Sequence, residues 1–501
     1  MVVPTYHNDN ARSGINTQET ELTPAVVNLV SFGRKAAVQV QGAIFAQPLY
    51  IDSVTMSDSK AHNLVIVATE HDQVYAIDAD TYQVLWQRNF LDSQGLTTPV
   101  SRGDLVCGQA FNPEIGITGT PVIDPSSETV YMVAVTKDTT GGQPRFAQRL
   151  YALRLKDGQD SVAPVVIATP TGSGQYGTAT FDPLLNFQRS ALLLANGNVY
   201  VAWASQCEAH VGWLMSFSST TLRLTSAWTP DPSSMLGGIW MSGGGPSADA
   251  SGDVFLAVGN GWSDAQTGGS NYGDSVVRLK DTGSSITVSD YFMPYDWEKL
   301  YNDDLDLGSG TPILLPSQPG AAHPNLLVTG DKEANIYLLD RDNMGQWNAN
   351  NDDQVLQHFQ IASTAVFNTP LFWNNTLYYG LSEQPLEGFA YDPATQTFNT
   401  TPVSSSSTPF TYPGVSPSLS ANGASDAILW AVENPPTTPP SNVILRAYNA
   451  TDLSTELYDS EMSSDRDHAG GALRFTVPTV ANGQVFVGSL NELDIYGVLQ
   501  P

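Results

Sequence analysis

The stretch SGDVFLAVGN at residues 251–260 is a polar turn followed by an apolar run, and it recurs along the whole chain. The other copies read HNLVIVATE (62–70), SSETVYMVAV (126–135), NGNVYVAWAS (196–205), HPNLLVTGD (323–331), NNTLYYGLS (374–382), SDAILWAVE (425–433) and NGQVFVGSL (482–490). Asn-Gly and Ser-Gly turns ahead of runs rich in Val, Tyr, Phe and Trp are strong hairpin signals. The spacing is about 60 residues, slightly longer than the usual period of a four-stranded blade. Each copy sits in a larger unit, with a short strand before the turn, then a polar loop, a strand ending in Asp or Asn, and a last strand. Eight such units predict an all-β chain folded as an eight-bladed β-propeller. Seven blades is the alternative, if one unit is an insertion.

The last unit, VPTVANGQVFVGSLNELDIYGVL (477–499), has room for only three strands. The segment FGRKAAVQV (32–40) precedes the first unit and is expected to supply the missing outer strand. That pairing closes the ring and leaves no free edge. The expectation is one propeller domain over 1–501, with blades in 32–501 and residues 1–31 packing on them. No helix longer than a turn or two is expected.

Composition agrees with this reading. With 42 Gly, 32 Pro, 10 Trp and 20 Tyr, and 14% charged residues, the chain is turn-rich and β-rich. The 21 basic residues face 50 acidic ones, a formal net charge of −29. Nucleic-acid affinity comes from Lys and Arg neutralising phosphates, so no nucleic-acid partner is expected. No apolar stretch is long enough for a membrane span. The start MVVP reads as an expression start on a mature chain, and the charge suits a secreted or periplasmic protein. Asn374, Asn399 and Asn449 lie in glycosylation triplets, which also arise by chance. Cys107 and Cys207 are too few for a cysteine scaffold and leave either one disulfide or two thiols.

In a four-stranded blade, the loop between the second and third strands and the entry to the first strand share one face. This rule gathers Glu70, His71, Asp72, Glu208, His210, Asn260, Asp274, Asp331, Lys332, Glu383, Glu433 and Asn434 at one mouth. The entries add Cys107, Glu114, Arg189, Trp240, Asp304 and Asp306. So many carboxylates and amides suit a cation or a polar ligand. Polar loops on an acidic propeller are the plainer explanation of the same pattern.

The stretch QVYAIDADTYQVLW (73–86) closely resembles the repeat of quinoprotein propellers, in which the tryptophan docks each blade on the next. LRAYNATDLSTELY (445–458) is a looser copy, with Tyr458 in the tryptophan's place. PTYHNDNARSGINTQETELTPAVVNL (4–29) is similar to the entry segment of quinoprotein alcohol dehydrogenases. The resemblance implies pyrroloquinoline quinone and Ca²⁺ at the mouth. It assigns the cofactor floor to Trp240, in GGIW, and metal ligands to Glu208, Asn260 (in VGNG) and Asp306. It makes Asp306 the catalytic base, with Asp304 the fallback, and Lys332, in GDKEANIYLLDR, the residue that bonds the quinone oxygens. The family's adjacent cysteine pair is reduced here to Cys107, and the arginine that follows that pair has no match.

The residue chemistry agrees. Ca²⁺ takes six to eight hard oxygen ligands, a carboxylate can accept a hydroxyl proton, and an ammonium stabilises developing negative charge. The expected partners are therefore a small-molecule alcohol or carbohydrate and an external electron acceptor, since no haem-attachment motif is present. Two other readings stay open. One is a non-catalytic propeller for ligand or protein binding, the other a carbohydrate-active enzyme using the same mouth. His71, His210 and Cys207 together would suit zinc or copper instead of calcium.

Overall fold

The repeated runs such as VFLAV are apolar on both faces, so a sheet built from them must be covered on both sides. The computed structural model describes residues 1–105, 114–170, 176–205, 210–233, 236–435 and 441–499, and in it eight sheets meet that demand by packing face to face around a ring. Each seam is a hydrophobic cluster shared by two neighbours. Ile66, Ala76, Val130 and Met132 join blades 1 and 2, and Leu256, Val277, Leu214 and Tyr200 join blades 3 and 4. The core is thus distributed over the seams rather than concentrated at one centre.

Blade 4 shows the basic pattern, with strands Ser247–Ala248, Val254–Ala257, Val276–Asp281 and Ile286–Phe292 in consecutive antiparallel order. Blade 8 is composite. Its outer strand is Phe32–Ala43, paired antiparallel with Leu490–Val498 from Phe32 opposite Val498 to Ala43 opposite Leu490. The expected closure by the N-terminal strand is therefore present, and the ring has eight blades rather than seven. Trp86 docks as its repeat implies: its indole Nε1 donates to Leu155 O of the next blade at 2.6 Å. Tyr458 fills the corresponding place between blades 7 and 8, edge-on to Phe32 with centroids 4.9 Å apart.

The segment ahead of the closing strand does more than lie on the surface. Val2–Val3 pairs with the innermost strand of blade 1, and Ile15–Asn16 pairs parallel with the innermost strand of blade 7. Between them the chain crosses the central channel. Pro4 O accepts from Ile123 N, Asn10 O from Ala248 N, Ala11 O from Leu314 N and Gly14 O from Leu419 N. Asn10 Nδ2 donates to Leu194 O, Tyr6 Oη bonds Thr369 Oγ1, and Asn16 Nδ2 donates to Val480 O. These bonds reach all eight blades. At the centre Arg12, fully buried, makes five hydrogen bonds, to Pro246 O (twice), Leu192 O, Tyr6 O and Thr5 Oγ1.

Among the described residues the longest helix is Trp297–Asp303, which lies between blades 4 and 5. No described helix is long and apolar enough to cross a membrane.

Candidate functional site

Three glycine-rich turns meet at the mouth beside blade 4, and their backbones touch because no side chain separates them. A Cβ on Gly273 would sit 1.9 Å from Gly261 O, and one on Gly259 would sit 2.8 Å from Asp306 Oδ2. The packing is completed by Gly237 N donating to Asn260 O and Gly259 N to Gly238 O. Trp240, Asn260 and Asp306, distant in sequence, are thereby brought to one point.

The chain leaves Trp240 through two left-handed residues, Met241 (φ 42°) and Ser242 (φ 50°). Non-glycine residues there cost roughly 1–3 kcal/mol each and need support. Thr311 Oγ1 donates to Met241 O at 2.9 Å, and Ser242 Oγ donates to Ser309 O at 2.7 Å. Both supports come from the turn that carries Asp306, so the ring and the carboxylate are locked to each other.

The side chains form one connected group. Trp240 Nε1 donates to Asp306 Oδ2 at 3.0 Å. Lys332 Nζ donates to Asp304 Oδ1 at 2.7 Å, pairs with Asp306 Oδ1, and stands 5.9 Å from the Trp240 ring centroid. Asn260 Nδ2 donates to the same Asp304 oxygen at 2.8 Å. The Asn260 amide oxygen is buried and has no hydrogen-bond partner. Burial lowers the Lys332 pKa, but Asp306 and Asp304 outweigh it and the net shift is upward. Asp304 caps the helix Trp297–Asp303 at its C-terminal end with φ 57°. A carboxylate is unfavourable at that pole of the helix dipole, and Lys332 compensates it.

Asp274 lies beneath this group, fully buried. Its Oδ1 accepts from Leu307 N at 3.2 Å, while Oδ2 has no hydrogen-bond partner. Burial first, then the nearby Asp306 charge, raise its pKa far above the usual carboxylate range. Asp274 holds the Asp306 turn through its bond to Leu307 N.

The other expected mouth residues form separate groups. Glu70 is buried, accepts from Gly116 N and Thr118 Oγ1 on Oε2, and burial pushes its pKa up to about 7. His71 Nδ1 lies 3.0 Å from Glu114 Oε2. Arg189 is buried with its guanidinium 5.9 Å from the Phe45 ring and 5.5 Å from the Phe475 ring; burial lowers its pKa against the pull of Tyr6 and Glu70. His210 is fixed through its backbone N–H, which donates to Ser205 Oγ. Asp331 is structural, accepting from Glu333 N, Asn335 N, Asn335 Nδ2 and Tyr337 Oη. Cys107, Cys207 and Glu208 lie outside the described residues.

Three mouth residues have no counterpart among the sequence expectations. Phe367 packs on Trp240 with centroids 6.2 Å apart, Tyr412 packs edge-on to Phe367, and Arg474 lies over Tyr412. All three stand just before the first strands of blades 6, 7 and 8. Arg189, Trp240 and Asp306 hold the same position ahead of blades 3, 4 and 5.

The fit of a hard cation can be judged from the oxygens present. Among the described residues no three His, Cys, Asp or Glu side chains converge as a metal group. The unpartnered Asn260 amide oxygen and the Asp306 carboxylate are nevertheless oxygen donors of the kind Ca²⁺ takes. The exposed part of the Trp240 ring, with an ammonium 5.9 Å from its centroid, suits a flat anionic cofactor.

Sequence comparison finds no matching family model and no matching curated protein. Structure comparison finds the fold in many solved proteins. Quinohemoprotein alcohol dehydrogenase from Comamonas testosteroni matches with a TM-score of 0.60 and 16% identity, over 99% of this chain and 80% of that one. A europium-containing methanol dehydrogenase matches with a TM-score of 0.57 and 12% identity, over 99% and 98%. BamB from Moraxella catarrhalis matches with a TM-score of 0.51 and 12% identity, over 93% and 99%. The fold is that of the quinoprotein dehydrogenases, as the resemblance in the sequence implied, at an identity that marks wide divergence.

Proposed function

We propose that this chain is an exported quinoprotein-like oxidoreductase that oxidises an alcohol or sugar hydroxyl, with pyrroloquinoline quinone and Ca²⁺ held at the propeller mouth. The observation that carries the reading is the joining of Trp240, Asn260, Asp306 and Lys332 into one bonded group. The quinone, polarised by the divalent ion, would supply the hydride acceptor. The Trp240 ring would form its floor, and Cys107 would lie against its other face. Asn260 Oδ1, Asp306 and Glu208 would ligate the ion. Asp306 holds its carboxylate ready to accept the substrate hydroxyl proton. Lys332 Nζ is shared between Asp306 and Asp304, so its bond to Asp304 would hold the ammonium near the ring when Asp306 Oδ1 is released. Electrons would leave to an external acceptor.

A second reading has one observation in its favour. Lys332 already pairs with both Asp304 and Asp306, so each carboxylate has a cationic partner within the chain itself, as a non-catalytic binding propeller requires. Reconstitution with pyrroloquinoline quinone and Ca²⁺, followed by absorbance and dye-reduction assays on simple alcohols and sugars, separates the two. Quinone binding that Lys332→Ala weakens supports the oxidoreductase; absence of binding rejects it.

A further inference from the structure

A second cleft opens on the mouth face, on the side of blades 6 to 8. Its volume is about 370 Å³, and its lining includes Glu383, Phe410, Tyr412, Asn434 and Arg474. Small-molecule sites span roughly 300–1,000 Å³, so the cleft can take a ring-sized ligand. It is continuous with the Trp240 site through aromatic contacts: Trp240 to Phe367 at 6.2 Å, then Phe367 to Tyr412 at 5.3 Å.

The polar groups of this cleft are held apart rather than paired. Arg474 is exposed, with its guanidinium 4.9 Å from the Tyr412 ring centroid. Glu383 is also exposed, on a left-handed backbone (φ 58°) fixed by its N–H donating to Phe410 O. Among the described residues neither charge has an ion-pair partner, although both line one cleft and are opposite in sign. Asn434 is 6% exposed, and its Oδ1 has no hydrogen-bond partner. Thr411 Oγ1 donates to Asn434 O at 2.7 Å and ties the two walls together.

A ligand for this cleft must offer a hydroxyl donor to Glu383, an acceptor to Arg474, and a C–H face to Tyr412. A simple alkanol would leave those polar groups unpaired at a cost. An anionic ligand would meet Glu383 and a chain of net charge −29. A cyclic polyol meets every requirement. We infer that the cleft is a sugar-binding subsite, which seats one ring of a carbohydrate while a hydroxyl further along is presented at Asp306. The oxidation rests on the function proposed above; the binding does not.

The test is saturation-transfer NMR with maltose, cellobiose and glucose against the full chain without quinone. At least one of these sugars should bind, and Arg474→Met and Glu383→Ala should each weaken binding about tenfold, the factor expected for one lost hydrogen bond. Both positions are exposed, and melting curves establish that the variants fold. No binding by any of the three, or binding that both variants leave unchanged, overturns the inference. Sugar binding with those losses, in a chain that reduces no dye after reconstitution, removes the oxidoreductase reading and keeps the subsite. Oxidation of small alcohols without sugar binding does the reverse.

Discussion

Trp240 Nε1 and Asp306 Oδ2 are joined at 3.0 Å, so the flat ring and the candidate base are one rigid unit. A hydrogen bond to a charged group contributes roughly 1.5–3 kcal/mol. Asp306→Asn keeps an acceptor for the indole and removes the base. Dye reduction by the reconstituted protein should fall about 10²–10⁴-fold, while quinone binding, read by quenching of tryptophan fluorescence, is retained. Loss of both together would mean that Asp306 positions the cofactor and does not handle the proton.

Lys332 and Asp306 form a largely buried pair, their side chains 13% and 4% exposed. Lys332→Met leaves the Asp306 carboxylate without its counter-charge, close to Asp274. Breaking such a pair costs about 3–5 kcal/mol, which a denaturant midpoint at neutral pH will register. The loss should shrink on acidification, as the stranded carboxylate takes up a proton. A loss independent of pH would assign the effect to packing.

Much of this structure was legible because its signals are local. The turn-plus-strand units carry their own hairpin chemistry, and the final unit was visibly one strand short, which pointed to residues 32–40. Trp240, Asn260, Asp306 and Lys332 could be found because each sits in a short motif with a fixed place in its blade. The channel crossing could not be found that way. Arg12 is held by carbonyls of residues 192 and 246, and nothing near residue 12 in the sequence signals those partners. Phe367, Tyr412 and Arg474 also lack a motif, and only their shared place before a first strand marks them.

Arg12 offers a direct test of the channel crossing. It is a buried cation, with its pKa lowered to about 10 chiefly by burial and held up by Asp9 and Tyr6. Arg12→Met strands the carbonyls of Pro246 and Tyr6, while Leu192 O and the Thr5 hydroxyl keep their bond to each other. Each stranded buried group costs about 1–3 kcal/mol, so the variant should melt well below the wild type. Limited proteolysis should then cut first within residues 1–20. An unchanged melting curve would show that the segment adds nothing to the ring.

Glu70 makes stability depend on pH with a definite sign. Burial raises its pKa from an ordinary 4.5 to about 7 in the folded chain. Its contribution is therefore intact below pH 4.5 and is lost as pH rises through about 7. The shift is worth on the order of 3 kcal/mol. Burial moves Asp72 and Asp274 in the same direction. The melting temperature should fall between pH 4.5 and 8, and Glu70→Gln, which mimics the neutral form, should flatten part of that fall. A wild-type curve that rises over this range would show that Glu70 is ionised and paired.

Asn260 separates the two functional readings without any turnover. Its amide oxygen is buried and unpartnered, while its amide nitrogen is engaged by Asp304. If the oxygen ligates Ca²⁺, the ion stabilises the folded chain by RT ln(1 + [Ca²⁺]/Kd), about 2.7 kcal/mol at a hundredfold excess over Kd. Added Ca²⁺ should raise the melting temperature, a chelator should reverse the rise, and Asn260→Ala should abolish it. The variant removes an orphaned acceptor, so its own cost without Ca²⁺ should be limited to the lost bond to the exposed Asp304. A wild-type chain indifferent to Ca²⁺ would leave Lys332 as the counter-charge of Asp304 and Asp306 and favour the non-catalytic propeller.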